Sequence, residues 1–177
     1  MIARWLILSA LGLSCAGCAA QSTTTEPPSI CVAFDSLAES QTPSPLTLDD
    51  VQVYTTSGAP LAIRSDSGGR GLALQPGGVF VRLPDRSFSY ADVTYISSGT
   101  RGKIGLHAAD GRLLTSISLP TQPRGKPLDI AAADQNQRRS SVLSAFGDSG
   151  TISSICFRDV GKAMAGDADV KPLQANQ

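Results

Sequence analysis

From residue 30 onward the chain is broken into short β-prone runs at intervals of roughly 8–12 residues, the spacing of an all-β sandwich or barrel. The runs fall at 30–35, 51–55, 61–64, 71–75, 79–83, 91–97, 103–108, 112–119, 128–132, 142–146 and 151–158. Turn formers stand between them: Ser57-Gly58, Gly68-Gly69, Pro76-Gly77-Gly78, Asp110-Gly111 and Asp148-Ser149-Gly150. With 17 Gly and 11 Pro in 177 residues, long regular elements have little room. No stretch of ten or more residues combines helical period with caps, and 130–138 has helix formers but no apolar stripe. At 41% apolar residues the chain can fill one core, and its length allows one domain with appendages. The expected fold is all-β: a single antiparallel β-sandwich over residues 30–160, with a flexible C-terminal tail at 161–177.

One hairpin is nearly explicit. Ile104 and Leu106 alternate with small or polar residues, Asp110-Gly111 offers positive φ angles for a tight turn, and 113–119 forms the return strand.

The first 29 residues read as an address and a tether. Residues 1–4 carry a positive charge, and residues 5–13 (WLILSALGL) are apolar. Nine residues at 1.5 Å each reach about 14 Å, well short of a bilayer core near 30 Å. The segment therefore reads as a cleaved signal peptide rather than a spanning helix. Its end, Cys15-Ala16-Gly17-Cys18, resembles the lipobox of bacterial lipoproteins, Leu-Ala/Ser-Gly/Ala-Cys. That resemblance makes residues 1–17 the signal, Cys18 the lipidated residue and 18–29 a polar, Pro-containing tether. Cys15 is the competing position, since Gly12, Leu13 and Ser14 precede it with Leu one place out of register. Ala19, rather than Asp, follows Cys18, which implies an outer-membrane, lipid-anchored, periplasm-facing protein. Ordinary cleavage near Ala16 or at Ala19-Ala20 would instead leave a soluble periplasmic one.

Removal of residues 1–17 leaves 160 residues and a net charge of 14 − 15 = −1. With Cys18 acylated, only Cys31 and Cys156 remain as thiols. Both stand out of phase with the large apolar residues around them: Ile30, Val32 and Phe34 in the first run, Ile155 and Phe157 in the last. Side chains alternate faces along a strand, so if the two runs pair, the sulfurs share a face. An exported chain with two such cysteines reads as one disulfide; two separate buried cysteines are the other possibility. If the bond forms, the first and last strands are neighbours.

The order of features resembles secreted bacterial galactose-binding-like jelly-roll modules. The matching residues are Cys31-Val32-Ala33-Phe34-Asp35, the turn Ala109-Asp110-Gly111, and Gly150-Thr151-Ile152-Ser153-Ser154-Ile155-Cys156-Phe157. The resemblance implies a jelly-roll-like sandwich, sugar binding as one function, and a structural calcium for which Asp35 and Asp159 are the available donors. No other metal is expected, because zinc sites want several His or Cys ligands and His107 is the sole histidine.

Catalytic motifs fail on inspection. Gly147-Asp148-Ser149-Gly150 is similar to the nucleophile loop of chymotrypsin-like proteases, but a nucleophilic serine needs an oriented imidazole. His107, in Gly105-Leu106-His107-Ala108, is expected to lie exposed beside the hairpin turn. Residues 97–103 lack the first Gly of a phosphate loop and the Ser or Thr after Lys103. Asp49-Asp50 would face opposite ways on a strand and cannot flank one bond. The equal counts of 15 basic and 15 acidic residues argue against nucleic acid. The only Trp leaves with the signal, so Arg86, Tyr90 and Tyr95 form the candidate ligand patch.

The function expected is that of a non-catalytic envelope lipoprotein. It is a structural or accessory β-sandwich module without cofactors, held to the membrane by its lipid and meeting an envelope protein or glycan. A carbohydrate-binding jelly roll is the first alternative, and a hydrolase using Ser149 and His107 the second.

Overall fold

A computed structural model describes residues 28–66, 68–97, 99 and 101–163. Cys18, the signal segment, residues 18–27 of the tether and the tail beyond 163 lie outside the described residues.

The strands in chain order are β1 (Ile30–Ala33), β2 (Ser40–Thr42), β3 (Leu46–Leu48), β4 (Val51–Tyr54), β5 (Leu61–Asp66), β6 (Gly69–Ala73), β7 (Val79–Arg82), β8 (Arg86–Ser87), β9 (Tyr90–Ile96), β10 (Gly102–His107), β11 (Leu113–Leu119), β12 (Pro127–Ala133), β13 (Val142–Gly147), β14 (Thr151–Arg158) and β15 (Gly161–Lys162). Thirteen of them form two antiparallel sheets, and β8 and β15 pair as a separate two-stranded ribbon. The front sheet has the order β11-β10-β13-β7-β4-β3, and the back sheet β12-β9-β14-β6-β5-β2 with β1 also beside β14. After the β10–β11 hairpin the chain crosses with each strand, β12 to the back, β13 to the front and β14 to the back. The β-sandwich is as expected from the spacing of the runs.

Alternation makes the core. Val51, Val53, Val79, Val81, Ile104, Leu106, Leu143 and Ala145 face inward from the front sheet. Leu72, Val93, Tyr95, Ile152, Ile155 and Phe157 meet them from the back. The Phe88 and Phe157 rings pack at 4.7 Å between centroids, a spacing within the favourable range for aromatic pairs.

Cys31 stands directly opposite Cys156 in the β1–β14 ladder, and the two form a disulfide. Their strand neighbours Val32, Phe34, Ile155 and Phe157 are buried, so the sulfurs lie on the outer face of the back sheet, as their phase requires. Phe34 N–H donates to the Ser153 carbonyl, which makes 34/153 a hydrogen-bonded pair. Cys31/Cys156, three residues along, is then the closer, non-hydrogen-bonded kind.

The β10–β11 turn differs in detail from expectation. Only Gly111 has positive φ, at 82°. Gly111 N–H donates to the Ala108 carbonyl and Ala108 N–H to that of Arg112. The register shifts between Leu106 and His107. This is a turn closed by a glycine bulge, with the Asp110 carboxylate accepting from Arg112 N–H at 2.9 Å. Residues 130–138 are the end of β12 and a turn, not a helix. At the C-terminal end, Gly161 and Lys162 pair with Ser87 and Arg86, so ordered structure continues two residues past the expected boundary at 160.

Candidate functional site

The outer face of a sheet on a small sandwich is ordinarily polar. On the front sheet it is aromatic. Tyr54, Phe80 and Ser144 stand side by side on β4, β7 and β13, with Gly105 of β10 next. The adjacent row holds Gln52, Arg82, Val142 and His107, and beyond Ser144 on the other side Phe146 pairs with Lys103. Phe80 and Val142 are 5% and 1% exposed yet belong to no part of the main core cluster. They are buried by their neighbours on the outside.

Phe80 is the hub. Tyr54 stacks on it at 5.4 Å with 22° between planes, Phe146 meets it edge-on at 5.7 Å, and His107 lies tilted at 6.2 Å. Tyr54 and Phe146 are half-buried and present the accessible flanks. Burial pushes the Tyr54 phenol above its usual range, with the Arg82 guanidinium pulling the other way. Gly78 has φ of 78°, and a Cβ there would sit 2.4 Å from the Phe146 ring, so glycine is what lets Phe146 lie down against β7. Beside Phe146 opens a hollow of about 250 Å³ lined by Pro76, Arg101, Gly102, Lys103, Phe146, Gly147 and Asp148.

His107 is buried, 8% exposed, contrary to the expectation of an exposed imidazole. Its ring lies over β13 on the outer face, between Ser144 and the Gly111 carbonyl. Its Nδ1 lies 3.3 Å from the Gly111 carbonyl, which can only accept, so Nδ1 donates. Nε2 therefore accepts from the Ser144 hydroxyl at 2.7 Å. Burial lowers the His107 pKa from 6.5, and the Gly111 bond opposes this. The folded chain thus binds fewer protons than the unfolded one just below pH 6.5. Stability from this group is full above that value and declines as pH falls through the folded pKa. Urea unfolding between pH 7 and 5 is expected to show a steeper loss for the wild type than for His107→Gln; identical slopes would contradict the neutral, enclosed imidazole.

The hydrolase pairing does not form. His107 pairs in register with Val142, at one end of β13, whereas Ser149 follows Gly147 at the other. The separation is about 17 Å by strand rise. Ser144, which does reach His107, is fully buried, and His107 has the Gly111 carbonyl rather than a carboxylate behind it. Gly147-Asp148-Ser149-Gly150 is a turn leading into β14. Gly150 has φ of 104°, and a Cβ there would come within 2.7 Å of the Tyr95 ring.

The patch expected at Arg86, Tyr90 and Tyr95 is dispersed. Tyr95 alternates inward with Val93 and is 0% exposed in the core. Tyr90 is 38% exposed and lines a depression with Ala131, Ala133 and Gln137. Arg86 lines a different one with Pro28, Ile30 and Val160, and its guanidinium is 3.1 Å from Asp50.

Asp35 and Asp159 do not meet either. Asp35 follows β1 and Asp159 follows β14, its antiparallel partner, which places them at opposite ends of that ladder. Asp159 accepts instead from the Ser89 hydroxyl and from Arg139 at 2.9 Å. Both bonds hold its carboxyl below the usual range. Arg139 also donates to Ser87, so the cluster ties the approach to β13 onto β8.

The outward placement of Tyr54, Phe80 and Phe146 carries a signal in the sequence. In Val79-Phe80-Val81-Arg82 the phenylalanine is out of phase with two valines, as Tyr54 is with Val51 and Val53. The same phase rule that located the cystine applies to them.

No family model matches the chain, and no curated protein matches it. Solved structures align with the chain at low identity. One is the catalytic unit of a thermostable GH87 alpha-1,3-glucanase from Streptomyces thermodiastaticus, 17% identical over 75% of this chain with a TM-score of 0.43. The chain spans 26% of that unit. The C-terminal CBM6 of LamC from Zobellia galactanivorans is 16% identical over 76% of this chain and 100% of its own, at 0.34. A family 29 carbohydrate binding module is 12% identical over 81% and 99%, at 0.36. At these TM-scores the likenesses carry no functional conclusion for this chain.

Proposed function

We propose that the chain is a non-catalytic accessory module of the bacterial envelope that holds a glycan on the outer face of its front sheet. The observation that carries this reading is the aromatic row: Tyr54 and Phe146 flanking a buried Phe80, with Gln52 and Arg82 alongside. Sugar rings present apolar faces between hydroxyl edges, so aromatic rings beside amide and guanidinium donors suit them. A surface that only needed solubility would not collect these side chains outside the core.

Both nitrogens of His107 are engaged, by the Gly111 carbonyl and the Ser144 hydroxyl, so the ring serves the packing of this face. Placement in the envelope rests on the lipobox-like segment ending at Cys18, and the Cys31–Cys156 bond suits an oxidising compartment.

Affinity electrophoresis through gels cast with individual polysaccharides tests the reading. The wild type should be retarded by at least one of them. Tyr54→Ala and Phe146→Ala should each weaken that retardation by about tenfold, near 1.4 kcal/mol, while Tyr90→Ala leaves it unchanged. Retardation that survives both front-sheet changes, or that Tyr90→Ala abolishes, would overturn it.

A further inference from the structure

Charge is divided unequally between the two faces of this sandwich. The six strands of the front sheet contain Arg82 and Lys103 and not one Asp or Glu. The back sheet mixes signs: Arg158 lies 3.0 Å from Asp92, and the Asp129 carboxylate accepts from Thr94 at 2.7 Å. Arg82 and Lys103 both point outward, by their pairing with Gln52 and Phe146. Neither has a carboxylate within ion-pair distance among the described residues. Arg101, exposed just before β10, is in the same condition and shares the hollow beside Phe146 with Lys103. Asp148 is the one acid on that rim. In a chain with equal numbers of acids and bases, unneutralised cations gathered on the aromatic face make a complement for negative charge.

The geometry points to an acidic polysaccharide as the ligand, a deepening that rests on the glycan reading above. Arg82 lies in the row of Val142 and His107, and Lys103 four residues along β10 and two strands across. Strand rise and spacing place their Cα atoms roughly 16 Å apart. The diagonal between them passes over Phe80, Ser144 and Phe146. A uronic acid chain laid along it sets one carboxylate against the Arg82 fork and a later one against Lys103 and Arg101. The intervening rings pass beside Phe80 and Phe146, with Tyr54 one strand further out on the flank of Phe80. Arg can take a carboxylate through two parallel hydrogen bonds, and Lys acts as a point charge. A nucleic acid strand would also answer to cations and rings, but the front sheet offers no extended basic track, only two cationic ends on a mostly uncharged face.

Isothermal titration with three probes decides the matter: polygalacturonate, the same backbone fully methyl-esterified, and single-stranded poly(dT). Polygalacturonate should bind at least tenfold more tightly than its ester, with affinity falling as salt rises. Lys103→Gln, at an exposed position, should reduce polygalacturonate binding about fivefold or more and leave ester binding unchanged, while Arg82→Gln should weaken polygalacturonate binding by more than it weakens binding of the ester. Equal affinity for acid and ester, unmoved by either variant, would overturn the acidic preference while the glycan reading stands. No binding of either polysaccharide, with another neutral glycan retained through Tyr54, would also sink it, and no glycan binding at all would sink both. Tighter binding of poly(dT) than of polygalacturonate would replace the glycan with a nucleic acid.

Discussion

Replacing both Cys31 and Cys156 with serine is expected to lower the melting temperature by about 15 °C without changing the strand pairing. The bond closes a loop of 125 residues, and loop-closure entropy assigns such a cross-link on the order of 4–5 kcal/mol, acting on the unfolded chain. For a domain of this size each kcal/mol moves the midpoint by roughly 3–4 °C. Both side chains lie on the outer face of the back sheet, so the change opens no cavity in the core. Native-state amide exchange of β1 and β14 in the double variant should show the same protected pattern at reduced free energy. A shift of only one or two degrees would mean that the unfolded chain is already compact around these ends. Loss of protection throughout β1 would mean that the bond, rather than Val32 and Phe34, holds that strand in place.

Phe157→Ala is expected to cost about 3–5 kcal/mol, the range for truncating a fully enclosed aromatic side chain. Its ring is 0% exposed and packs on Phe88. It sits where β1, β9 and β14 run together, so surrounding atoms cannot collapse into the space without shifting three strands. Urea unfolding should show a lower midpoint with an unchanged slope. Tyr90, exposed and opposite the following residue Arg158, is the control: Tyr90→Ala should fall within about half a kcal/mol of the wild type. Comparable losses for the two would contradict the assignment of Phe157 to the core.

The strand skeleton could be read from the chain because each long run alternates, and Gly or Pro marks its ends. All eleven expected runs are strands. The additional ones, Ser40–Thr42, Leu46–Leu48, Arg86–Ser87 and Gly161–Lys162, are two or three residues long, too short for alternation to show. They are strands because a longer neighbour offers them a ladder, which is a tertiary cause. The cystine was legible for the opposite reason: two residues out of phase in two strong strands carry register information.

The ligand face shows where such reading stops. Tyr95 looked available because it is polar at its tip, yet its phase with Val93 sends it into the core. Phe80 is apolar like the core residues beside it, yet its phase with Val79 and Val81 sends it out. Period rather than side-chain type decides both positions. His107 needed more than period. Its ring is enclosed by the Gly111 carbonyl from the turn and by Ser144 on β13, and no local motif says that these two meet it. The separation of Ser149 from His107 likewise follows from which end of β13 each one meets, a matter of pairing that no local motif encodes.

The proposed ligand site is the outer face of the front sheet. Backbone amide shifts recorded while the folded chain is titrated with galacturonate oligosaccharides test it most directly. The account predicts saturable shifts centred on Tyr54, Arg82, Lys103, Ser144 and Phe146, with the amides of Arg86, Tyr90 and β12 unmoved. Shifts confined to Tyr90 and its neighbours on β9 and β12, or a front sheet unmoved at saturating ligand, would contradict it.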